Sequence, residues 1–446
     1  MHFFKSKENE VIYMQIINAG DFESVQSAID FLSKKSGHRE LIIPKGLKKT
    51  GPISLVSDLT IRLEEGAVLQ FMDDPDLYPP IWTRWEGVEC YAMHPLMYAA
   101  DCENIVITGK GTIDGNGRTW WKKFAQIEKE DRTWPQESYE LRLAKLNPDY
   151  KERTGGGARP STQFLRPPLV QFWKCKNITF ENFTLQNSPF WTLHTVYCEN
   201  ITIQGMTIAN PADAINTDAI DIDSSKNVLI QDCLFDVGDD AVTLKSGSGP
   251  DGLRVNIPTE NVKVRNCKIL ASHGGIAIGS ETAGGIKDVN VKNCQFLGTQ
   301  RGIRLKSRRG RGGTIQNIVL ENLTMDHCWC PIVLGMYFAP GVLLNEEEYI
   351  LSTDPQPLSP VTPHIKNIRI QDINATNVRS TAAFIVGLPE SPIENVTIGN
   401  FNWDLASEDE LLETWNSEPT KGLFHDENRG IKTINIKNLM INGEEL

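Results

Sequence analysis

The chain has 446 residues, of which 40% are hydrophobic and 23% are charged, a composition typical of a globular protein with a large core. Its formal net charge of −12 argues against nucleic acid as the main partner. Nine cysteines, an odd number, favour a reducing compartment over a disulfide framework.

The N-terminal region contains no apolar stretch typical of a signal peptide or a membrane span, so we expect a cytoplasmic protein with no membrane partner. From residue 21 to residue 34, apolar residues recur at helical spacing, namely Phe22, Val25, Ile29 and Leu32. This spacing predicts a short helix that caps the N-terminal end of the fold.

A segment from about Gly117 to Leu165 breaks the pattern of the surrounding sequence. Loops of this length in compact domains are usually functional or disordered. We interpret residues 117–165 as a long insertion loop over the side of the fold; packing on the outside or at an oligomer interface is the alternative. Its notable residues are Trp120, Trp121, Arg132, Trp134, Arg153 and Arg159.

Most of the remaining sequence is a repeat. Each copy reads as a polar or Asn-containing turn, a short strand of alternating apolar residues, a kink and a second short strand. A short strand that recurs every twenty or more residues buries its apolar face only by stacking on its neighbours. The repeat predicts an all-β fold, a right-handed single-stranded parallel β-helix forming one domain over residues 1–446; a β-propeller would need about four strands per blade. Copies begin at Cys102, Cys175, Cys198, Ser225, Thr259, Ile286, Ile315, Ile365, Ile393 and Ile431.

Three cysteines occupy one position in successive copies. Cys233, Cys267 and Cys294 each follow the first valine of their copy by five residues. Because equivalent positions stack, we expect a ladder of buried thiols, and free cysteine is a common small buried hydrophobe. A metal or redox site is the less favoured interpretation.

Four polar motifs follow one another in successive coils. Asp218 and Asp239 are 21 residues apart (239 − 218), about one coil, and coils are stacked at roughly 4.8 Å. Side chains placed in this way form a patch on one face even though they are distant in sequence. The motifs are Asn216-Thr217-Asp218, Gly238-Asp239-Asp240, Ser272-His273-Gly274 and Arg304-Leu305-Lys306.

Carboxylates held this close cannot all ionise normally, so the pKa of one rises and that group can act as an acid. Glycosidic cleavage needs such an acid and a second carboxylate that activates water, and a separation of roughly 6.5–9.5 Å predicts inversion. Arg304 and Lys306 alternate on one strand, point the same way and can bind a substrate carboxylate. Taken singly, each motif is ordinary, as an Asp-Asp turn, a structural histidine or an exposed basic loop. Their order in successive coils favours a site.

The four motifs in this order resemble those of the polygalacturonases, glycoside hydrolase family 28, whose pattern is Asn-Thr-Asp, Asp-Asp, Gly-His-Gly and Arg-Ile-Lys. The resemblance covers nearly the whole chain, most securely from Arg166 to about Phe338. Ser272 and Leu305 depart from the pattern. The resemblance implies a pectin-lyase-like solenoid that hydrolyses α-1,4-galacturonosyl linkages of pectic oligosaccharide or polysaccharide, with no cofactor and no metal.

The resemblance also implies a role for each matching residue. The catalytic residues are Asp239 as general acid, Asp218 and Asp240 as activators of water, and His273, which helps set the protonation of the acid. The substrate-binding residues are Arg304 and Lys306 on the galacturonate carboxylate, Asn216 on the sugar or its neighbours, and Tyr337, one coil after the Arg-x-Lys strand.

The insertion before Arg166 resembles that of bacterial exo-acting members, in which added loops close one end of the substrate groove. We therefore expect exo action with inversion on imported oligosaccharides. A rhamnogalacturonan-directed hydrolase is the main alternative. A pectate-lyase-type β-helix would need Ca²⁺ carboxylates and a basic residue that removes a proton, and a non-catalytic glycan-binding β-helix would leave the aspartates without a role; the paired aspartates and His273 fit hydrolysis better.

Overall fold

A computed structural model of the chain describes residues 3–5, 11–13, 15–153, 155–160, 165–424 and 426–445. Its strands form two long parallel sheets between which the chain alternates. The first, sheet A, has eleven strands, which are Ile53–Ser54, Met97–Ala100, Val170–Trp173, Leu193–Val196, Ile220–Asp223, Val242–Lys245, Gly274–Ile278, Arg301–Lys306, Cys330–Gly335, Ala383–Val386 and Ile431–Ile434.

Sheet B has twenty-one strands, all parallel to their neighbours except the last. Many come in pairs on either side of the kink seen in the sequence. They are Gln15–Asn18, Arg39–Ile43, Gly46–Thr50, Leu59–Leu63, Ala67–Phe71, Glu103–Gly109, Thr112–Asp114, Lys176–Glu181, Thr184–Gln186, Glu199–Gln204, Thr207–Ala209, Lys226–Gln231, Leu234–Asp236, Thr259–Arg265, Lys268–Ile269, Ile286–Leu297, Thr314–Asp326, His364–Val378, Ile393–Leu405, Ile436–Ile441 and Glu444–Glu445.

The strands are in register, so that residues of the same character stack on one another in successive coils. Ile178 pairs with Ile201, Ile201 with Val228, and Val228 with Val262, and all four are buried. Apolar side chains from both sheets fill the space between them and bury the faces that the alternation marks as apolar. The parallel β-helix predicted from the repeat is confirmed.

Asparagines make the sharp turns that lead into sheet B. Asn177, Asn200, Asn227 and Asn261 each adopt a left-handed conformation, with φ between 53° and 60°. Each side-chain amide donates to the asparagine of the preceding coil, over 2.8–3.0 Å. The Asn-containing turn of each repeat thus becomes a ladder that fixes the stacking of the coils.

The thiol ladder and the capping helix are also present. Cys233, Cys267 and Cys294 are buried and free. The N-terminal helix, Val25–Ser33, is capped by the Ser24 side chain and buries its apolar face on the first coils. The other helices are Arg118–Lys129, Ser138–Leu146, Gly249–Val255 and Glu347–Ile350, with 3₁₀ turns at Ala19–Asp21, Pro75–Leu77, Tyr150–Glu152, Glu408–Glu410 and Thr414–Ser417.

Two antiparallel hairpins complete the elements, Phe3–Lys5 with Val11–Tyr13 and Pro80–Trp85 with Val88–Met93. None of the helices among the described residues combines the length and the apolar character that crossing a membrane requires.

The segment 117–165, expected to be a loop, contains two helices in its described part. Trp120 is buried and packs edge-on against Tyr78. Arg132 is buried in a two-pronged salt bridge with Glu140, with both N–O distances 2.8 Å. These residues stabilise the insertion itself.

Candidate active site

A cleft of about 1140 Å³ lies over the outer face of sheet A. Its floor is made by the strands that carry the four sequence motifs. Residues of the insertion and residues from the C-terminal part of the chain contribute to its walls. Residues that line it include Phe124, Glu128, Arg153, Arg159, Asn216, Asp218, Asp239, Lys245, His273, Arg304, Lys306, Trp329, Phe338 and Trp415.

Three aspartates meet at the centre of this floor. Asp218 precedes the strand Ile220–Asp223, and Asp239 and Asp240 precede the next strand, Val242–Lys245. One carboxylate oxygen from each lies within 4.8 Å of the other two. The backbone N–H of Ala219 donates to the carbonyl of Asp240, so Asp240, and not Asp239, stacks directly on Asp218.

The closeness of the carboxylates corrects one expectation. Their nearest oxygens lie within 4.8 Å, below the predicted range of roughly 6.5–9.5 Å. The reason is that two of the aspartates are adjacent in sequence and the third is on the neighbouring coil, one strand spacing away. The stereochemistry of the reaction must therefore be argued from accessibility, and not from this separation.

The three carboxylates differ in burial. Asp218 and Asp240 are 3% and 0% exposed, whereas the side chain of Asp239 is 18% exposed and reaches the cleft. Burial, followed by the negative charges of Asp239 and Asp221, raises the pKa of Asp218 well above its ordinary value. The cluster therefore retains a proton at pH values where an exposed aspartate has lost it.

Asp240 differs because it has two cationic partners. Lys306 Nζ lies 2.5 Å from one of its oxygens, and an Arg304 Nη lies 3.4 Å from the other. Burial raises the pKa of Asp240, but Lys306 and Arg304 outweigh it and the net shift is downward. Asp240 is therefore ionised and can act as a base.

Glycine at position 274 permits this packing. A Cβ atom there would lie 2.6 Å from Asp240 Oδ1 and 3.2 Å from Arg304 Cδ. No side chain fits without moving the base or the arginine beside it. The glycine that follows His273 is thus a steric requirement of the site.

His273 contacts the exposed aspartate. Its Nδ1 is 3.3 Å from Asp239 Oδ1, and its side chain is 43% exposed in the cleft. The backbone N–H of His273 donates to the Asp239 carbonyl, which fixes the two residues together. A proton can be exchanged between these two side chains at the cleft surface.

Arg304 is held by a residue that the sequence motifs did not indicate. Glu418 accepts hydrogen bonds from Arg304 Nε at 3.1 Å and from Nη2 at 3.0 Å. The carboxylate is almost fully buried and also lies 3.7 Å from Arg301 Nε. The bidentate face of Arg304 is therefore occupied by Glu418, and its remaining amino group points to Asp240.

We expect Glu418→Gln to lower kcat on galacturonate oligomers about tenfold or more, because Arg304 loses a charged bidentate partner and its alignment with Asp240. KM should change less than kcat, because the side chain of Glu418 is almost fully buried. Steady-state kinetics with a melting curve test this. Glu413→Gln, an exposed carboxylate of the same segment, is the control. Equal effects in the two variants would contradict the prediction.

A second buried charge network lies beside the aspartates. Lys245 Nζ is 3.2 Å from Glu281 and 3.7 Å from Asp221, and it lies 4.4 Å from the ring centre of Trp191. Burial raises the pKa of Glu281, but the charge of Lys245 outweighs this effect, and the pKa falls to about 2. Asp221 has no hydrogen-bond partner for either oxygen within the described part of the chain, and burial raises its pKa. The sequence contained one signal for this network, namely polar residues within sheet A strands that are otherwise apolar.

Asn216 and Tyr337 lie in different surroundings. Asn216 lines the cleft, and its side-chain oxygen accepts a hydrogen bond of 2.8 Å from the buried Arg166. Tyr337 was predicted to bind substrate, but it is 1% exposed, belongs to the core and packs on Phe424. The next residue, Phe338, lines the cleft instead, with its ring centre 5.2 Å from Lys306 Nζ. The strand Cys330–Gly335 ends before Tyr337 and Phe338, so the alternation of a strand no longer determines which of the two points outward.

The aspartates also resemble a metal site, since three oxygens lie within 4.8 Å of one another. Hard cations prefer ionised carboxylates. Here the oxygens of Asp240 already face Lys306 and Arg304, and the raised pKa of Asp218 favours its protonated form. The donor set fits proton transfer better than it fits a divalent cation.

Comparison with known proteins identifies the family to which this chain belongs. The sequence model described as "Glycosyl hydrolases family 28" matches residues 34–146 and 150–418. A probable polygalacturonase of Vitis vinifera is 31% identical over 411 residues, which are 90% of this chain and 74% of that protein. An exo-poly-alpha-D-galacturonosidase of Dickeya chrysanthemi is 28% identical over 372 residues, 79% of this chain and 60% of that protein.

A solved structure has the same fold. The hyperthermoactive exopolygalacturonase of Thermotoga maritima superposes with a TM-score of 0.73 and 29% identity, over 97% of this chain and 93% of that one. A polygalacturonase from Erwinia carotovora, 21% identical with a TM-score of 0.65, shares the fold.

Proposed function

The chain belongs to glycosyl hydrolases family 28 and is a glycoside hydrolase; we propose that it releases single galacturonate residues from the non-reducing end of pectin-derived oligogalacturonides. The observation that carries the proposal is a cluster of three aspartates beside cationic side chains, at the floor of a cleft whose walls include the insertion and the C-terminal part of the chain. A groove open along sheet A would accept the middle of a polymer. A walled cleft favours a chain end.

The walls support exo action in particular. Phe124 and Glu128 come from the helix Arg118–Lys129, and Arg153 and Arg159 come from the end of the same insertion. All four line the cleft. Arg159 is paired with Glu86 of the neighbouring hairpin, so the wall is braced from two elements. The Phe124 ring suits stacking on a terminal sugar.

The chemistry follows from the accessibility of the aspartates. Asp239 faces the cleft, takes a proton from the cluster and gives it to the glycosidic oxygen, with His273 adjusting its protonation. Asp240 and Asp218 are more deeply buried and reach the anomeric carbon only through a water molecule. Both orient this water, and the ionised Asp240 accepts its proton. Attack by water without a covalent intermediate inverts the anomeric centre.

The products of a long galacturonate oligomer labelled at its reducing end test this proposal. We expect unlabelled monomer from the first time point, with the label kept on chains that shorten by one sugar. Proton NMR of the first-formed product should give the inverted anomer. An early spread of intermediate lengths would refute exo action, a retained anomer would refute the water-base roles, and products that absorb near-ultraviolet light would indicate a lyase.

A further inference from the structure

A second cavity, of about 470 Å³, lies next to the cleft and shares Glu152, Arg153 and Arg311 with it. It is formed where the chain continues past the end of the strand Arg301–Lys306. Arg308 and Arg311 line this cavity beneath the end of the insertion. The basic side chains that begin with Arg304 and Lys306 therefore continue beyond the catalytic floor.

Most charges around this cavity are already paired. Arg153 binds Asp149, and the exposed Arg254 binds Asp251. Arg309, fully buried, is held by Glu390 through two hydrogen bonds of 2.6 and 2.9 Å. These arginines hold the walls together.

Arg308 and Arg311 are not paired in this way. Arg308 is 4% exposed, and its guanidinium donates only to the carbonyls of Phe338, Pro340 and Gly341; within the described residues it forms no salt bridge. Burial, and next the charge of Arg311, lower the pKa of Arg308 to about 9. An anion beside it would reverse that shift.

Arg311 is the link between the two cavities. It is 8% exposed, it donates to the hydroxyl of Ser248, and its nearest carboxylate, Glu281, is 3.9 Å away and is shared with Lys245. Its Nε is buried and has no hydrogen-bond partner in the described part of the chain. A buried guanidinium with an unused donor recognises an anion, and its planar fork matches a carboxylate.

We propose that Arg308 and Arg311 form a second carboxylate-binding site, separate from Arg304 and Lys306, that takes a uronic acid. This inference rests on the proposed function, because a galacturonate chain carries one carboxylate on each sugar. The carboxylate comes either from the sugar of a bound substrate or from free galacturonate that binds there independently.

Kinetics on galacturonate oligomers, with and without added galacturonate, test the site. We expect Arg311→Gln to keep a cooperative melting transition and Arg311→Lys to restore part of the affinity that is lost. If the substrate occupies the site, KM rises about 10- to 100-fold, with a smaller change in kcat. If free galacturonate occupies it, KM without added galacturonate is unchanged, and the response to added galacturonate is reduced to simple product competition at the catalytic site.

Two controls separate this inference from the proposed function. Arg254→Gln removes an exposed arginine of the same cavity whose charge is already paired, and it should behave as wild type. Galactose, which lacks the carboxylate, should have no effect on any variant. If the wild type turns over oligomers and Arg311→Gln matches it both in KM and in its response to galacturonate, the second site is refuted while the proposed function stands. Absence of turnover in the wild type would refute the proposed function itself.

Discussion

Replacing Asp239 with asparagine is expected to lower kcat on galacturonate oligomers by about 10²- to 10⁴-fold or more, because the site loses its general acid. Asparagine keeps the shape of the side chain, and Asp239 Oδ1, which accepts from the backbone N–H of Asp240, remains available as an amide oxygen. The fold should therefore persist. Melting curves and steady-state kinetics on one preparation measure both quantities.

The matched control is Asp236→Asn, three residues earlier and exposed at the end of the strand Leu234–Asp236. It should show wild-type kinetics. Near wild-type turnover by folded Asp239→Asn would remove this residue from the acid role and shift attention to Asp218, whose pKa is raised by burial and by the neighbouring carboxylates.

The sequence predicted the parts of the site that follow the repeat. Asp218, Asp239 and His273 were brought together correctly because each lies just before a strand of sheet A, and consecutive strands stack in register. The repeat was readable because asparagine turns and alternating apolar residues recur in every coil. The catalytic roles of Asp218, Asp239 and His273 remain predictions, and Asp239→Asn tests the role of Asp239.

The parts that come from outside the repeat were not predictable in this way. Glu418 is 114 residues from Arg304 and reaches it from the C-terminal segment, where no copy of the repeat gives a register. The insertion was predicted to be a loop. However, Trp120, Phe124 and Ile127 are at helical spacing, and they lie on the helix Arg118–Lys129. That signal was present, and the surrounding charged residues obscured it.

Loss of Lys306 should have the second large effect. Lys306→Ala is expected to cost about 2–5 kcal/mol in kcat/KM, or roughly 30- to 5000-fold, because a buried charge loses its closest partner. If Lys306 holds the substrate carboxylate, as the sequence motif predicts, that carboxylate loses a cation. Asp240 also loses the nearer of its two compensating charges. Lys268→Ala, an exposed lysine on sheet B, is the control and should be silent.

The pH profile separates these two contributions. In the wild type, Lys306 and Arg304 outweigh burial, so the pKa of Asp240 is lowered and the base is ionised at moderately acid pH. Without Lys306, the effect of burial on the pKa of Asp240 is opposed less strongly, so this pKa rises. The ionised fraction of Asp240 at a given acid pH then falls. The acid limb of kcat/KM should therefore move to higher pH in Lys306→Ala. A fall in kcat/KM with no movement of that limb would mean that Lys306 acts on the substrate alone and that Arg304, held by Glu418, suffices to keep Asp240 ionised.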